Sequence, residues 1–312
     1  MNSPEFLFPN GVLAPIVTPL TNNYKVDAGL LADHASKVLS EGCVGVVPFG
    51  TTGEALSVGR EERVTSLEAL LSGGVASSKL LVGTGQTNLD DTIILTRHAV
   101  EVGCAGVLVL PPFYYKNPSE QGLYQYFASL IDRIDDDRLR IFLYHIPQVS
   151  GVGLPVSVVR KLYANFPEVV VGIKDSSGDW ANTKLLLEID GLDVYPGSER
   201  TLLDALLLGA RGCITATANV AAPILSNVVM SYKDKKIEEA KELHSVIMKF
   251  REVLEKYPPI AALKSIKEKQ DKQEQWNKVF PPLEPLADHE AIEINKAFQE
   301  MTRALRDLSI NS

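Results

Sequence analysis

Basic residues are in deficit: 31 Lys and Arg stand against 39 Asp and Glu in 312 residues, a net charge of -8 at pH 7. Such a field offers no footprint for a phosphate backbone, so no nucleic-acid partner is expected and a small-molecule function is favoured. Cysteine is scarce. Cys43, Cys104 and Cys213 are odd in number and form no CxxC pair, which excludes a disulfide framework and leaves them as small buried hydrophobes. No apolar run approaches the ~20 residues of a membrane-spanning helix, so no membrane partner is expected. The opening Met1-Asn2-Ser3-Pro4-Glu5 lacks the basic and then apolar segments of a secretory signal, and the expectation is a cytoplasmic protein.

Several catalytic signatures are missing as well. There is no GxxxxGK[ST] phosphate loop and no G-x-S-x-G nucleophile elbow, so nucleotide hydrolysis and esterase chemistry find no support. Gly83-Thr84-Gly85-Gln86-Thr87-Asn88 lacks the third glycine of a dinucleotide loop. The five histidines (34, 98, 145, 244 and 289) are scattered, and His289-Glu290-Ala291-Ile292-Glu293 only imitates a zinc-protease motif. No metal site is expected.

What is present is a rhythm. Apolar runs at residues 12–18, 44–49, 80–85, 106–110, 140–144, 169–173, 192–195 and 212–215 are nearly continuous, not alternating. Parallel strands covered on both faces look like this. Between them lie amphipathic stretches such as 27–40, 60–71, 89–102 and 198–208, several opened by Asp or Ser in capping positions. Eight such units predict an α/β fold, a (β/α)8 TIM barrel over residues 1–220 carrying the active site, with a C-terminal helical region at 221–312 packed on it. The charged stretches 233–242 and 264–274 of that region are expected to be solvated helix faces.

In a barrel, functional side chains collect at the C-terminal strand ends. Strand 6 ends Val171-Gly172-Ile173-Lys174-Asp175, which places a lysine at the end of a buried run. An amine of pKa ~10.4 is almost wholly protonated at pH 7, so it attacks a carbonyl only where desolvation lowers that value. Such a lysine can form a Schiff base with a 2-oxo acid, an electron sink for carbon–carbon chemistry. The same residues also fit a lysine snorkelling from the barrel mouth or paired with Asp175. Lys264 is a weaker rival, because its neighbours look like an exposed helix.

Strand 5 ends Leu143-Tyr144-His145-Ile146-Pro147, and a neighbouring strand would bring Tyr144 within one spacing, ~5 Å, of Lys174. At that distance a phenol can relay protons, though a packed aromatic satisfies the pattern too. His145 points the other way. After strand 2, Gly50-Thr51-Thr52-Gly53-Glu54 offers hydroxyls and successive N–H groups that can converge on a carboxylate. A plain turn whose threonines cap the next helix fits equally.

Taken together, Gly50-Thr51-Thr52-Gly53-Glu54, Tyr144-x-x-Pro147 and Gly172-Ile173-Lys174-Asp175 resemble the dihydrodipicolinate synthase and N-acetylneuraminate lyase family of pyruvate-dependent class I aldolases. The likeness runs from the segment at residues 11–19 through 212–219 and into the helical tail. It implies a carbon–carbon lyase with no cofactor beyond the covalent lysine imine with pyruvate. Lys174 would be the Schiff-base residue, Tyr144 the proton relay, Gly50, Thr51 and Thr52 the carboxylate site, and Ile214 a neighbour of bound pyruvate. Tyr115 matches a tyrosine that reaches the adjoining subunit's site, which implies a homo-oligomer, a tetramer as a dimer of dimers.

The second substrate is read from departures. Members that make dihydrodipicolinate resemble Tyr-Asn-x-Pro-x-Arg here, the arginine holding the carboxylate of aspartate semialdehyde. This chain has Tyr144-His145-Ile146-Pro147-Gln148-Val149-Ser150-Gly151, with Val149 in the arginine's place, so a bidentate charge-assisted pair is missing. Glu199 aligns with an acidic residue that in the sialic-acid lyase type holds substrate hydroxyls, although a first-turn acid favoured by the helix dipole explains it as well. The expectation is cleavage or formation of a 2-keto-3-deoxy sugar acid from pyruvate and an aldehyde. The alternatives are a dihydrodipicolinate synthase, a 4-hydroxy-2-oxoglutarate aldolase or dehydratase of the family, or a non-catalytic 2-oxo acid sensor. Arg200 offers another anchor for an acidic substrate tail.

Overall fold

The computed structural model of the chain describes residues 8–310. Its elements run β1 (Gly11–Ala14), α1 (Ala28–Ser40), β2 (Gly45–Val46), α2 (Arg60–Ser72), β3 (Leu81–Gly83), α3 (Leu89–Glu101), β4 (Gly106–Val109) and α4 (Glu120–Ile134). There follow β5 (Ile141–His145), the one-turn α5 (Pro147–Ser150), α6 (Val156–Asn165), β6 (Val170–Asp175), α7 (Trp180–Leu187), β7 (Asp193–Pro196), α8 (Leu202–Leu207) and β8 (Gly212–Ile214). Helices α9 (Ala218–Lys233), α10 (Ile237–Leu254), α11 (Pro259–Asp271) and α12 (Asp288–Ile310) complete it. All eight apolar runs became strands. Strands β1 to β4 and β8 are shorter than their runs, β5 and β7 keep the length with a shift of one residue, and β6 extends through Lys174 and Asp175.

Two compact units divide the described residues: 8–10 with 76–214, and 11–75 with 215–310. The first holds a parallel sheet in the order β3-β4-β5-β6-β7, with Val107 opposite Ile141, Tyr144 opposite Lys174 and Lys174 opposite Tyr195. Its strands are buried almost throughout, as covered parallel strands must be. Asn88, Ser119 and Asp179 each accept a backbone N–H to open α3, α4 and α7. Gly172 is required in β6. A Cβ there would stand 2.5 Å from the Phe142 ring and 2.8 Å from the Asp193 carbonyl oxygen, so a side chain would force apart the strands on which Tyr144 and Lys174 lie.

In the second unit β1 and β2 pair in parallel, Leu13 opposite Gly45. Asn219 binds this unit together: its carbonyl accepts from Val17 N–H (2.9 Å) and lies 2.8 Å from His34 Nε2, and its amide donates to Pro15 and Ala216. His34 packs edge-on against the buried Trp276, ring centroids 5.2 Å apart. Burial, aided by the nearby Lys267 charge, pushes the His34 imidazole down to about 3. The ring is therefore neutral when folded, while an unfolded histidine titrates near ~6.5. Because the folded value is depressed, this contribution is complete above pH ~6.5 and is lost as pH falls toward 3. Unfolding free energy is expected to drop by about 2 kcal/mol between pH 7 and pH 5 from this residue alone, a slope that denaturant titrations should find missing in His34→Gln.

Cys43 and Cys213 are buried as expected, whereas Cys104 is half-buried; no disulfide joins the three. One expectation about the helical region is corrected. Residues 264–274 do not present a solvated face throughout, because α11 buries residues 261–267, with Lys264 and Lys267 at 1% and 0% exposure. Their charges are met by partners distant in sequence or one helical turn away: Glu54 for Lys264, and Asp271, 2.7 Å away, for Lys267.

Candidate active site

The end of β6 is where chemistry concentrates. In a strand, successive side chains point to opposite faces, so Lys174 and Asp175 diverge. Asp175 faces α7, where it accepts from Asn182 Nδ2 (3.0 Å), Thr183 Oγ1 (2.8 Å) and Ser177 N–H (2.9 Å). It is occupied there and is not the lysine's counter-ion. Lys174 points to the other face and is 5% exposed, which rules out snorkelling into solvent. Its Nζ lies 3.3 Å from the hydroxyl of Tyr144, itself 3% exposed. Direct cross-strand register puts them there. On the opposite face His145 accepts the Leu154 N–H at Nδ1 (2.8 Å), and burial lowers its basicity. It serves structure, as its position in the alternation predicts.

Within the same unit, Ile214 is fully buried at the end of β8. Glu199 is fully buried in a single 3-10 turn that Ser198 opens by accepting the Arg200 N–H (3.2 Å); Arg200 itself is exposed. Tyr115 is not gathered with the buried pair. It is 80% exposed and packs edge-on against Tyr114, itself 73% exposed.

In the other unit, Gly50 is buried, Thr51 exposed and Thr52 half-buried. The turn closes through Gly53 N–H to the Gly50 carbonyl and Glu54 N–H to the Thr51 carbonyl, each 3.1 Å. Glu54 ends it in the left-handed region, φ 54°. The sequence pattern gives this residue no role and puts Lys264 on an exposed helix. They form a buried ion pair, with side chains 0% and 1% exposed, in which Glu54 also accepts the Phe280 N–H (2.6 Å) and Lys264 donates to the Lys278 carbonyl (2.5 Å). Burial lowers the basicity of Lys264, and Glu54 opposes that shift. Glu54→Gln would leave a buried ammonium without its counter-charge and should cost about 3–5 kcal/mol of stability. Urea unfolding would show it, with Glu54→Gln/Lys264→Met losing less than the two single changes combined.

Residues 8–301 match the dihydrodipicolinate synthetase family. The chain belongs to that family. A Chloroflexus aurantiacus relative described as an uncharacterized DapA-like lyase is 39% identical over 71% of this chain and 74% of its own length. The crystal structure of dihydrodipicolinate synthase from Agrobacterium tumefaciens superposes with a TM-score of 0.86 at 32% identity, over 94% of this chain and 99% of that one. A prophage protein of the family from E. coli K12, solved in complex with pyruvate, gives 0.87 at 25% identity over 94% and 98%.

The dihydrodipicolinate synthetase family fold is the (β/α)8 TIM barrel with a helical C-terminal part, and the chain has it. Like other family members the protein is a carbon–carbon lyase of the class I, Schiff-base-forming kind. Among the described residues no helix is long and apolar enough to cross a membrane, and no group of three His, Cys, Asp or Glu could hold a metal ion.

Proposed function

We propose that this lyase reversibly cleaves a 2-keto-3-deoxy sugar acid to pyruvate and an aldehyde, with Lys174 as the imine-forming residue and Tyr144 as the proton relay. The 3.3 Å approach of Nζ to the phenolic oxygen, both side chains buried, carries this reading. Lys174 adds to the 2-oxo carbon, and Tyr144 gives its proton to the departing carbinolamine hydroxyl, releasing water. The Tyr144 oxygen then takes the proton of the C4 hydroxyl. The C3–C4 bond breaks, its electron pair enters the iminium to leave an enamine, and the aldehyde departs. Protonation at C3 and hydrolysis of the imine free pyruvate and the amine.

The resemblance further assigns pyruvate's carboxylate to Thr51 and Thr52 beside Gly50, and a position next to pyruvate to Ile214. Val149, 63% exposed, stands where an arginine would hold a carboxylated aldehyde, and Glu199 aligns with the acidic residue that holds substrate hydroxyls in the sialic-acid lyase type. Both favour a polyhydroxylated aldehyde. The surface position of Tyr115 suits a tyrosine completing a neighbouring subunit's site, and hence a homotetramer built of paired dimers. A second reading, condensation of pyruvate with aspartate semialdehyde, is supported by the dihydrodipicolinate synthase among the similar structures.

Incubation with pyruvate, borohydride reduction and peptide mass spectrometry test the core of this assignment. A reduced adduct on Lys174 is expected, and an adduct on another lysine would refute it. Consumption of pyruvate with a panel of aldehydes then separates sugar-derived aldehydes from aspartate semialdehyde.

A further inference from the structure

The helical turn α5 is only four residues long, too short to persist on its own. Internally it is closed by the Ser150 hydroxyl on the Ile146 carbonyl (3.0 Å) and by Gly151, at φ +67°, whose N–H meets the Pro147 carbonyl (2.8 Å). Two side chains then fasten it from opposite sides. Lys116, on the loop after β4, donates from Nζ to the Ser150 carbonyl (2.9 Å) and to the Phe113 carbonyl. Gln148, within the turn, donates from Nε2 to the carbonyl of Ser176 on the loop after β6.

We propose that Lys116 and Gln148 are positioning residues that hold this turn as a rigid platform for the aldehyde, setting the affinity for the second substrate without entering imine formation. The placement carries the inference. The turn begins three residues after Tyr144, and Ser176 follows Lys174 by two, so the fastenings flank the reacting pair while touching neither side chain. Between them the turn presents Val149 to solvent. Lys116 suits its task because an ammonium at the end of a helical turn faces unpaired carbonyls. Gly151 suits it too, since a Cβ there would lie 3.1 Å from Lys116 Nζ and crowd the ammonium. A loosened turn would present the aldehyde in many orientations instead of one, and its productive binding would weaken about 5–10-fold.

The inference rests on the Lys174 reading, and the test separates the two. Lys116→Met and Gln148→Ala are compared with the unaltered protein in borohydride trapping with pyruvate, in KM for D-glyceraldehyde and for aspartate semialdehyde at saturating pyruvate, and in hydrogen exchange of residues 146–151. Expected are trapping within about twofold of the unaltered protein, an aldehyde KM raised about 5–10-fold, and faster exchange confined to the turn. An unchanged aldehyde KM, unchanged exchange, or an equal loss of trapping and aldehyde use would overturn the proposal. Absence of a Lys174 adduct in the unaltered protein would count against the lysine assignment instead, whatever the exchange data show.

Discussion

Lys174→Ala is expected to remove pyruvate-dependent turnover, by about 10⁴-fold or more, and to leave no borohydride-reducible adduct. The size follows from what the amine supplies. Without an imine, the electron pair of the breaking carbon–carbon bond has no iminium to enter, and at ~1.4 kcal/mol per decade the barrier rises by ~5.5 kcal/mol or more. No nearby group takes over. Tyr144 is a weaker nucleophile toward a ketone, and Asp175 is held on the opposite face by Asn182 and Thr183 of α7 and by the Ser177 N–H. The other buried lysines are tied up: Lys264 is bound to Glu54 and the Lys278 carbonyl, and Lys267 is paired with Asp271. Near-normal turnover in Lys174→Ala would therefore refute the mechanism as a whole. Lys174→Met, closer in volume, guards against loss of folding as the cause.

Tyr144→Phe is expected to lower kcat/KM by about 10² to 10⁴, the range for a lost general acid–base group. The change deletes one oxygen and keeps the ring, so the buried packing of β5 against β6 survives and the kinetic effect isolates the hydroxyl. That oxygen is the group 3.3 Å from Lys174 Nζ, and the proposed mechanism uses it both in dehydration of the carbinolamine and in removal of the C4 proton. Slowed formation of the reduced Lys174 adduct, reaching full extent on long incubation, would show the first role. A fall in cleavage rate beyond the slowing of adduct formation would show the second. An unaltered rate would mean that water or another group carries the proton and that Tyr144 is only a packed aromatic.

The local order of this protein is written in short-range patterns. Continuous apolar runs force strands covered on both faces, and the rhythm of eight such runs with intervening amphipathic segments carried the barrel. Alternation along a strand is equally local, so Lys174 and Asp175 could be sent to opposite faces from their adjacency alone. The motifs that placed the chain in its family are likewise contiguous. Burial of charge is not local. Lys264 sits in a helix as rich in Lys and Glu as any exposed one, and its burial depends on Glu54, 210 positions away. Lys116 and Gln148 look like ordinary loop residues until the fold brings carbonyls from 34 and 28 positions away to their side chains. Periodicity and strand alternation follow from backbone geometry, which each residue carries with it. Whether an ammonium, amide or carboxylate is solvated, paired or pinned depends on which distant groups exclude water from it, and that is decided only when the chain has packed.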